Sequence, residues 1–311
     1  MRPIAVAHYI SEYPERKMTE LLHMPSFCVN KQGTVDLSAF KTDLGDELKK
    51  KELKDSLEKD RDRISELQTK LYTEGTRSLL LIFQAMDAAG KDSCIRHVMS
   101  GVNPQGCNVH SFKAPNSEEL SHDFLWRHAK ALPAKGMVGI HNRSHYEEVL
   151  VVKVHPEYLL GQHIPGIMKP DDADKAFWED RYASIREFEA HLARQGTVVL
   201  KFFLHMSKAA QKERFLERIE EKEKNWKFSM GDIAERGHWD AYQNAYEEAI
   251  SATAAPHAPW FIVPADDQWE SRAIVGRLVR EELEAMDPMD PELSAKDKKE
   301  LEEGKVLLLA E

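Results

Sequence analysis

The stretch Ser78–Ser93, SLLLIFQAMDAAGKDS, decides how the rest of the chain is interpreted. Its segment Leu79–Phe83 is a run of five apolar residues, the pattern of a strand buried on both faces of a parallel sheet. A turn of small residues follows, AMDAAGKD at 85–92, and a helix is predicted from Cys94 to Met99. A strand, a turn containing Gly-Lys and a helix form the layout of a loop that binds phosphate through backbone N–H groups and a helix N-terminus.

This Gly-Lys turn, residues 85–92, matches the pattern G-x-x-x-x-G-K-[ST] only in part. Gly90 and Lys91 fit the pattern, whereas Ala85 stands at the first glycine. Asp92 stands where a magnesium-binding hydroxyl belongs, and Ser93 comes one place late. One interpretation is therefore an ordinary strand–turn–helix in which the glycine only makes the turn.

Asp87 favours the phosphate-binding interpretation. A carboxylate inside an anion-binding loop repels phosphate unless a metal ion lies between the two groups. The turn therefore predicts Mg²⁺ and a phosphorylated ligand, and Lys91 would bring a full positive charge to the same phosphate.

Composition narrows the classes of protein. The chain has 311 residues and a net charge of -10, which argues against indiscriminate binding of nucleic acid. Its three cysteines have no paired or metal-ligand spacing, and no apolar run approaches the roughly 20 residues needed to cross a bilayer. The N-terminus shows no signal-peptide pattern. We therefore predict a cytoplasmic protein with no nucleic-acid partner and no membrane partner.

The remaining segments predict an α/β fold with a parallel sheet. Residues 1–40 are predicted to form an arm that packs on the domain or on another subunit, and 41–286 are predicted to form one domain. Within that domain we predict strands at 107–114, 136–141, 197–206 and 259–265, and helices at 43–72, 117–132, 177–194 and 268–286. Residues 287–311 are a polar tail that we expect to be poorly ordered.

The carboxyl ends of the predicted strands carry the polar side chains of interest. In open parallel sheets, ligands bind at this edge. The side chains that follow four strands should therefore lie together: Asp87 and Lys91, Lys113, Asn142 and Arg143, and His205 and Lys208. Cations and metal-binding oxygens are thus expected at one edge of the sheet.

A helical insertion at about 207–253 carries a second group of cations. Arg214, Arg218 and Lys222 share one helix face at i, i+4 spacing, but glutamates are interleaved with them. An exposed helix with internal salt bridges is therefore one interpretation. The position after a late strand favours the other, a lid that closes over phosphates and brings Arg and Lys to the transferring group.

Seven segments, in chain order, resemble the type-2 polyphosphate kinases: QAMDAAGKDS, SGVNPQGCNVHSFKAP, HDFLWR, NRSHYEEVLV, KFFLHMSKAAQKERFLER, KNWKFSMGDIAER and APWFIVPADDQW. The similarity runs from about residue 40 to residue 286. The NRSHYEEVLV form is similar to the third class of that family. This likeness implies phosphorylation of both nucleoside monophosphates and nucleoside diphosphates.

The resemblance implies a three-layer α/β/α core of the P-loop kinase type, with a five-stranded parallel sheet and a helical lid. It implies a reversible transfer of the terminal phosphoryl group between inorganic polyphosphate and AMP or ADP, with GMP and GDP as further acceptors. Mg²⁺ is the implied metal, with Mn²⁺ as a substitute. A homodimer or homotetramer is implied as well.

The resemblance also implies roles for residues that match the family's motifs. The implied catalytic residues are Asp87, Lys91, Asn142, Arg143 and Arg218. The implied phosphate- and nucleotide-binding residues are Ala88, Ala89, Gly90, Asp92, Ser93, Lys113, Arg127, Glu147, Lys208, Lys224, Trp226, Lys227 and Asp232. Asn142 stands where other classes have Asp, so Glu147 is the candidate that completes a metal site with Asp87 and Asn142.

The implied reaction needs no strong base, because the attacking oxygen of the nucleotide's terminal phosphate is already anionic. It needs in-line positioning and neutralisation of two polyanions. Two rival functions stay open at this point. One is a nucleotide-dependent kinase acting on a small molecule, and the other is a non-catalytic module that binds polyphosphate or nucleotide.

Overall fold

The apolar run before the Gly-Lys turn lies in the middle of a six-stranded sheet. The computed structural model describes residues 27–45 and 48–311. All eight residues of β2 (Ser78–Ala85) are buried. The other strands are β1 (Cys28–Val29), β3 (Cys107–Ser111), β4 (Val138–Asn142), β5 (Thr197–His205) and β6 (Trp260–Pro264). The spatial order is β1-β6-β5-β2-β4-β3, and every neighbouring pair is parallel except β1 with β6.

Helices connect the strands and cover the sheet. The α-helices of the described residues are α1 (Lys50–Glu74), α2 (Lys91–Val98), α3 (Ser117–Leu120), α4 (Trp126–Lys130), α5 (Val151–Val154), α6 (Lys175–Arg194), α7 (Lys208–Glu220), α8 (Met230–Arg236), α9 (Trp239–Thr253), α10 (Gln268–Met286) and α11 (Ala295–Leu309). Short 3-10 helices lie at Leu37–Ala39, Pro104–Gly106, His145–Glu148, Pro156–Gln162, Pro170–Asp172 and Asn225–Lys227.

The helices form two packed groups. Helices α1 and α2 pack on α10, whereas α5 and α6 pack on α9, and α6 also packs on β5. Successive residues of a strand point to opposite faces of the sheet, and β5 is buried throughout, as β2 is. Both faces of the central strands are therefore covered, which explains why these strands read as continuous apolar runs. Within residues 27–45 and 48–311, no helix is long and apolar enough to cross a bilayer.

The sheet has six strands, where the sequence predicted five. All five predicted strands are present, and the additional one is β1, which pairs antiparallel with the edge strand β6 and places Cys28 opposite Phe261. A strand of two residues has no alternation to detect, so its formation depends on β6 rather than on a local pattern.

The predicted arm at 1–40 falls largely on residues 1–26, which lie outside the described residues. The described part packs on the domain. Leu37 is buried, and its N–H donates to the Glu247 carboxylate at 2.8 Å. The carbonyl of Thr42 accepts from the N–H of Ala265 at 2.9 Å, so this segment is bonded to the turn that follows β6.

Three helical predictions differ from the structure in detail. The helix predicted at 117–132 is divided into α3 and α4. The insertion at 207–253 contains three helices, of which α9 has seven buried residues and α8 has none. The polar tail is not irregular throughout, because α11 forms within it, although all side chains of α11 are accessible to solvent.

Candidate active site

The carboxyl ends of β2 and β4 meet at the centre of the sheet, where the strand order changes direction. The chain passes from β2 outward to β3, returns to β4, and then crosses β2 to reach β5. Such a switch point in an open α/β sheet leaves a crevice that binds ligands. The Gly-Lys turn follows β2, and residues 143–147 follow β4, so both face this crevice.

The Gly-Lys turn combines two left-handed residues with a buried lysine. Ala88 has φ 64° and Gly90 has φ 94°, and Gly90 is the N-cap of α2. Lys91 is 9% exposed, and its Nζ donates to the Ala85 carbonyl at 2.8 Å. Burial, and next the positive charge of Arg143, lower the pKa of Lys91 to about 8. The amine is therefore held at the mouth of the turn with little water around it.

Arg143 is the centre of the charged cluster. It also has a left-handed backbone, φ 63°, and its N–H donates to the Phe83 carbonyl of the neighbouring strand at 3.0 Å. Its guanidinium donates to Asp87 Oδ1 at 3.0 Å and to Glu147 Oε2 at 3.2 Å. The charges of Glu147 and Asp87 raise the pKa of Arg143. The three side chains are 39%, 30% and 16% exposed, in the order Arg143, Asp87, Glu147, so a ligand can reach them.

Asn142 is turned towards α2. Its amide nitrogen donates to Asp92 Oδ1 at 2.5 Å and to Ser111 Oγ at 3.4 Å. Ser93 points elsewhere, since its hydroxyl accepts from Arg272 Nη2 at 2.7 Å. The structure thus brings Asn142 to the first turn of α2, and it ties Ser93 to α10.

Residues 208–236, which we call the lid, cover this cluster. Arg218 donates to Asp232 Oδ2 at 2.9 Å. Burial raises the pKa of Asp232, and the negative charge of Asp87 raises it further, so the lid and the Gly-Lys turn are electrostatically coupled. A narrow cavity of about 30 Å³ lies between the turn and the lid, and its lining includes Arg143, Glu147 and Asp232.

Several residues implied by the resemblance lie away from this cavity. Arg127 is buried, donates to the Lys113 carbonyl at 2.8 Å, and lines a separate cavity. Lys208 lines another cavity beside Trp239. Trp226 is 79% exposed on the lid. Two more residues implied by the resemblance lie near the surface of the lid. Lys224 pairs with Glu217 and Glu221, and Lys227 lies 5.2 Å from the Trp226 ring.

The sequence analysis did not include Gln211 of α7 or Tyr246 of α9 among the site residues, and it placed Arg214 only among the cations of the insertion. Gln211 and Arg214 donate to the carbonyls of Asp87 and Ala88, each at 2.9 Å. Tyr246 is buried against the charged cluster, and burial together with the charge of Glu147 raises its pKa well above the usual value. One signal was available, because Gln211, Arg214 and Arg218 follow i, i+3, i+7 spacing and so share a helix face.

A metal site would have to use few protein ligands. Within residues 27–45 and 48–311, no group of three or more His, Cys, Asp or Glu side chains could hold an ion. Asp87 and Glu147 both contact one guanidinium, and both remain partly accessible. Mg²⁺ is usually bound through one or two carboxylates, several waters and substrate phosphates rather than by a closed protein cage. The donor set present therefore fits Mg²⁺ that enters with a phosphorylated ligand.

Comparisons with known proteins identify related sequences and a related crystal structure. A family model described as Polyphosphate kinase 2 (PPK2) matches residues 47–291. The chain is 51% identical over 240 residues to the ADP-polyphosphate phosphotransferase of Rhodopseudomonas palustris, a match that covers 77% of this chain and 82% of that protein. It is 46% identical over 224 residues to the AMP/ADP-polyphosphate phosphotransferase of Meiothermus ruber, which covers 72% of this chain and 78% of that protein. The crystal structure of polyphosphate kinase 2 from Arthrobacter aurescens matches with a TM-score of 0.81 and 36% identity, covering 97% of this chain and 99% of that one.

Proposed function

The chain belongs to the polyphosphate kinase 2 family, and on that premise we propose that it moves the terminal phosphoryl group of inorganic polyphosphate to AMP and ADP. The prediction of a polyphosphate kinase-type enzyme is confirmed by the family model and by the names of its relatives. We further propose that the reaction is reversible, that it depends on Mg²⁺ or Mn²⁺, and that GMP and GDP are also acceptors.

The observation that carries the proposal is the position of Arg143 between Asp87 and Glu147, beside the buried Lys91. A cation flanked by two carboxylates at a phosphate-binding turn suits the task of bringing two polyanions together. Lys91 and the turn amides would hold the terminal phosphate of the donor. Arg143 would stabilise charge on the phosphoryl group as it moves between donor and acceptor.

The residues present fit a divalent cation held by Asp87, with Glu147 as a second carboxylate. When bound, the ion supplies positive charge that neutralises the phosphate oxygens of both substrates. Asn142 would add a neutral ligand through its amide oxygen, because its hydrogen bond to Asp92 uses the amide nitrogen. The acceptor oxygen is anionic at neutral pH, and the site therefore works by positioning and neutralisation rather than by proton abstraction.

We assign the lid to residues 208–236, the part of the 207–253 insertion that lies before the buried helix α9. Closure would place Arg218 over the transferring group and exclude water, which limits hydrolysis of polyphosphate. The exposed cations Lys224 and Lys227, with Trp226, would contact the nucleotide or the polyphosphate chain near the surface. Glu147 would help to bind a nucleoside monophosphate as the acceptor, in addition to binding the metal.

The wider architecture is also a proposal. We interpret the parallel strands with helices on both faces as the three-layer core of a P-loop kinase, spanning 41–286, with an N-terminal arm and a polar tail at 287–311. The strand order with β2 at the switch point supports this interpretation. A cytoplasmic location and a homodimer or homotetramer remain predictions.

The test is an assay of the pure protein with polyphosphate, Mg²⁺ and one acceptor at a time, using AMP, ADP, GMP and GDP, with no other phosphoryl donor. We expect ADP to form from AMP and ATP to form from ADP. Phosphorylation of a small molecule only when ATP is the donor would favour the rival kinase. Retention on a polyphosphate matrix without turnover would favour a binding module.

A further inference from the structure

Two side chains of α7 hold the main chain of the Gly-Lys turn from the lid side. Gln211 Nε2 donates to the Asp87 carbonyl at 2.9 Å, and Arg214 Nη1 donates to the Ala88 carbonyl at 2.9 Å. Gln211 is 1% exposed and Arg214 is 9% exposed. Both side chains come from the first two turns of α7, the helix that also carries Arg218. The lid and the turn are therefore joined by hydrogen bonds from two buried side chains.

Arg214 uses three of its five N–H donors on main-chain oxygens. Its Nη2 donates to the carbonyls of Ala265 at 2.6 Å and Asp266 at 2.8 Å, in the turn after β6. Both terminal nitrogens of this buried guanidinium therefore bond carbonyls, and these carbonyls belong to two different turns. Its geometry is that of a clamp between the two turns.

Gln211 connects the Gly-Lys turn to the far end of the lid. Its Oε1 accepts from Arg236 Nη1 at 2.8 Å, and the same nitrogen donates to the Lys208 carbonyl at 2.8 Å. Arg236 is the last residue of α8. A displacement of α8 thus acts on Gln211, and through it on the carbonyl of Asp87.

The hydrogen bonds from Gln211 and Arg214 are made at a strained part of the turn. Ala88 has φ 64°, a conformation that residues with a Cβ rarely adopt. A trans peptide directs its N–H opposite to its C=O, so anchoring the carbonyls of Asp87 and Ala88 fixes the orientation of two successive peptide groups. It also fixes the backbone that presents the Asp87 carboxylate to Arg143.

We propose that Gln211 and Arg214 are positioning residues that couple the lid to the phosphate-binding turn. When Gln211 and Arg214 bond the turn, α7 holds it in its left-handed, phosphate-binding conformation. When α7 moves away, the turn loses that conformation. Closure of the lid and completion of the turn are then one event. This inference rests on the proposed function, because the turn is taken to bind the donor phosphate.

The first arm of the test compares Arg214→Met with the matched variant Lys212→Met, which removes an exposed cation from the same helix. We expect Arg214→Met to lower kcat about tenfold or more, because the reacting groups lose their alignment, with a smaller change in KM for polyphosphate. Lys212→Met should leave kcat and KM within about twofold of the parent. A large rise in KM with kcat retained would indicate direct phosphate binding by Arg214 and would overturn the proposal.

The second arm is a rescue that a phosphate-contact role cannot produce. Glycine adopts φ 64° without a supporting bond, so Ala88→Gly added to Arg214→Met should recover kcat by about threefold or more. The same substitution in the parent enzyme should lower kcat, because glycine loosens a turn that is already held. Absence of any recovery in the double variant contradicts the coupling.

The third arm does not depend on turnover. The N–H of Ala89 donates to the Met86 carbonyl at 3.3 Å within the turn, so amide hydrogen exchange reports on the shape of that turn. Exchange in a peptide covering 85–92 should be about tenfold faster in Arg214→Met and unchanged in Lys212→Met. If the parent protein shows no polyphosphate-dependent turnover, the proposed function fails while this exchange result still supports or refutes the coupling.

Discussion

The floor of the site, formed by the Gly-Lys turn and residues 142–147, is built differently from the lid above it. The floor contains two left-handed residues with a Cβ, Ala88 and Arg143, and its lysine is buried. The lid has no buried residue in α8, and Trp226 and Met230 are 79% and 71% exposed. Each strained backbone position in the floor costs on the order of 1–3 kcal/mol, which the surrounding fold must offset.

This difference indicates a division of labour. The floor is anchored to the central strands, since Lys91 donates to the Ala85 carbonyl and the Arg143 N–H donates to the Phe83 carbonyl. The lid helix α7 completes it through the bonds of Gln211 and Arg214 to the turn. Beyond the buried side chains of α7, the lid is held by contacts nearer the surface, such as the pairing of Lys224 with Glu217, and exposed ion pairs contribute little to stability. Floor substitutions should therefore affect the chemical step, whereas most lid substitutions should affect binding.

The largest effect is expected from Asp87→Asn in the floor. The variant loses the charge that pairs with Arg143 and that would hold the metal, so kcat should fall a hundredfold to a thousandfold, on the order seen when one transition-state contact is removed. The melting temperature should change little, because the side chain is partly exposed. Asp180→Asn, at an exposed position of α6, is the matched control. Near-normal turnover in Asp87→Asn would show that the Asp87 carboxylate is not needed for phosphoryl transfer, which would contradict the role given to the floor.

Arg218→Gln tests whether one lid residue, like the floor residues, acts in the chemical step. If Arg218 stabilises the transferring phosphoryl group, kcat should fall on the order of a hundredfold with the fold unchanged. Lys222→Gln, an exposed lid cation two residues into the connection after α7, should stay within about twofold. A change in KM alone would show that Arg218 binds substrate without acting in the chemical step. Only floor residues would then act in that step.

The pH dependence should reveal the buried lysine of the floor. The pKa of Lys91 is lowered to about 8, so in the free enzyme its positive charge is present below that pH and lost as the pH rises through it. We expect kcat/KM for polyphosphate to fall by about tenfold per pH unit above 8, since kcat/KM reports the free enzyme. Bound phosphate favours the charged amine, and kcat should therefore stay level to a higher pH.

Lys91→Arg provides the control for that profile, because arginine stays charged throughout the range. Its kcat/KM, although lower, should show no fall near pH 8. A parent profile that remains flat to pH 9.5 or so would mean that burial does not lower the pKa of Lys91 in solution.

The smallest effect is expected at Trp226. Its ring is 79% exposed, so stacking on a nucleobase would be worth only part of the usual stabilisation, and Trp226→Ala should raise KM for the nucleotide about fivefold. The change in kcat should be negligible. An unchanged KM for every nucleotide would show that Trp226 does not contact the nucleotide.

The sequence predicted the core strands well because strands buried on both faces are continuous apolar runs. The run at 79–83 and the predicted strand at 197–206 correspond to β2 and β5. Strand β1 could not be predicted, since it depends on pairing with β6 rather than on periodicity. The division of 117–132 into α3 and α4 was not predicted either, and local hydrogen bonds of Ser121 and Asp123 accompany the break.

For the site, spacing predicted which segments meet but not where each side chain points. Lys208 follows β5, yet it lines a cavity beside Trp239 rather than the one that contains Asp87. Arg214 was recognised only as one of several cations, because its partners are main-chain carbonyls of distant turns. Carbonyl partners of this kind leave no trace in the residue types of a sequence.

The most direct measurement is a crystal structure of the protein with polyphosphate and ADP bound. We predict a phosphate oxygen within about 3 Å of Lys91 Nζ, and Asp87 in contact with the donor phosphate directly or through a cation. Ordered phosphates elsewhere, for instance in the cavity between residues 37–45 and the start of α9, with none near Lys91 and Asp87, would contradict the account.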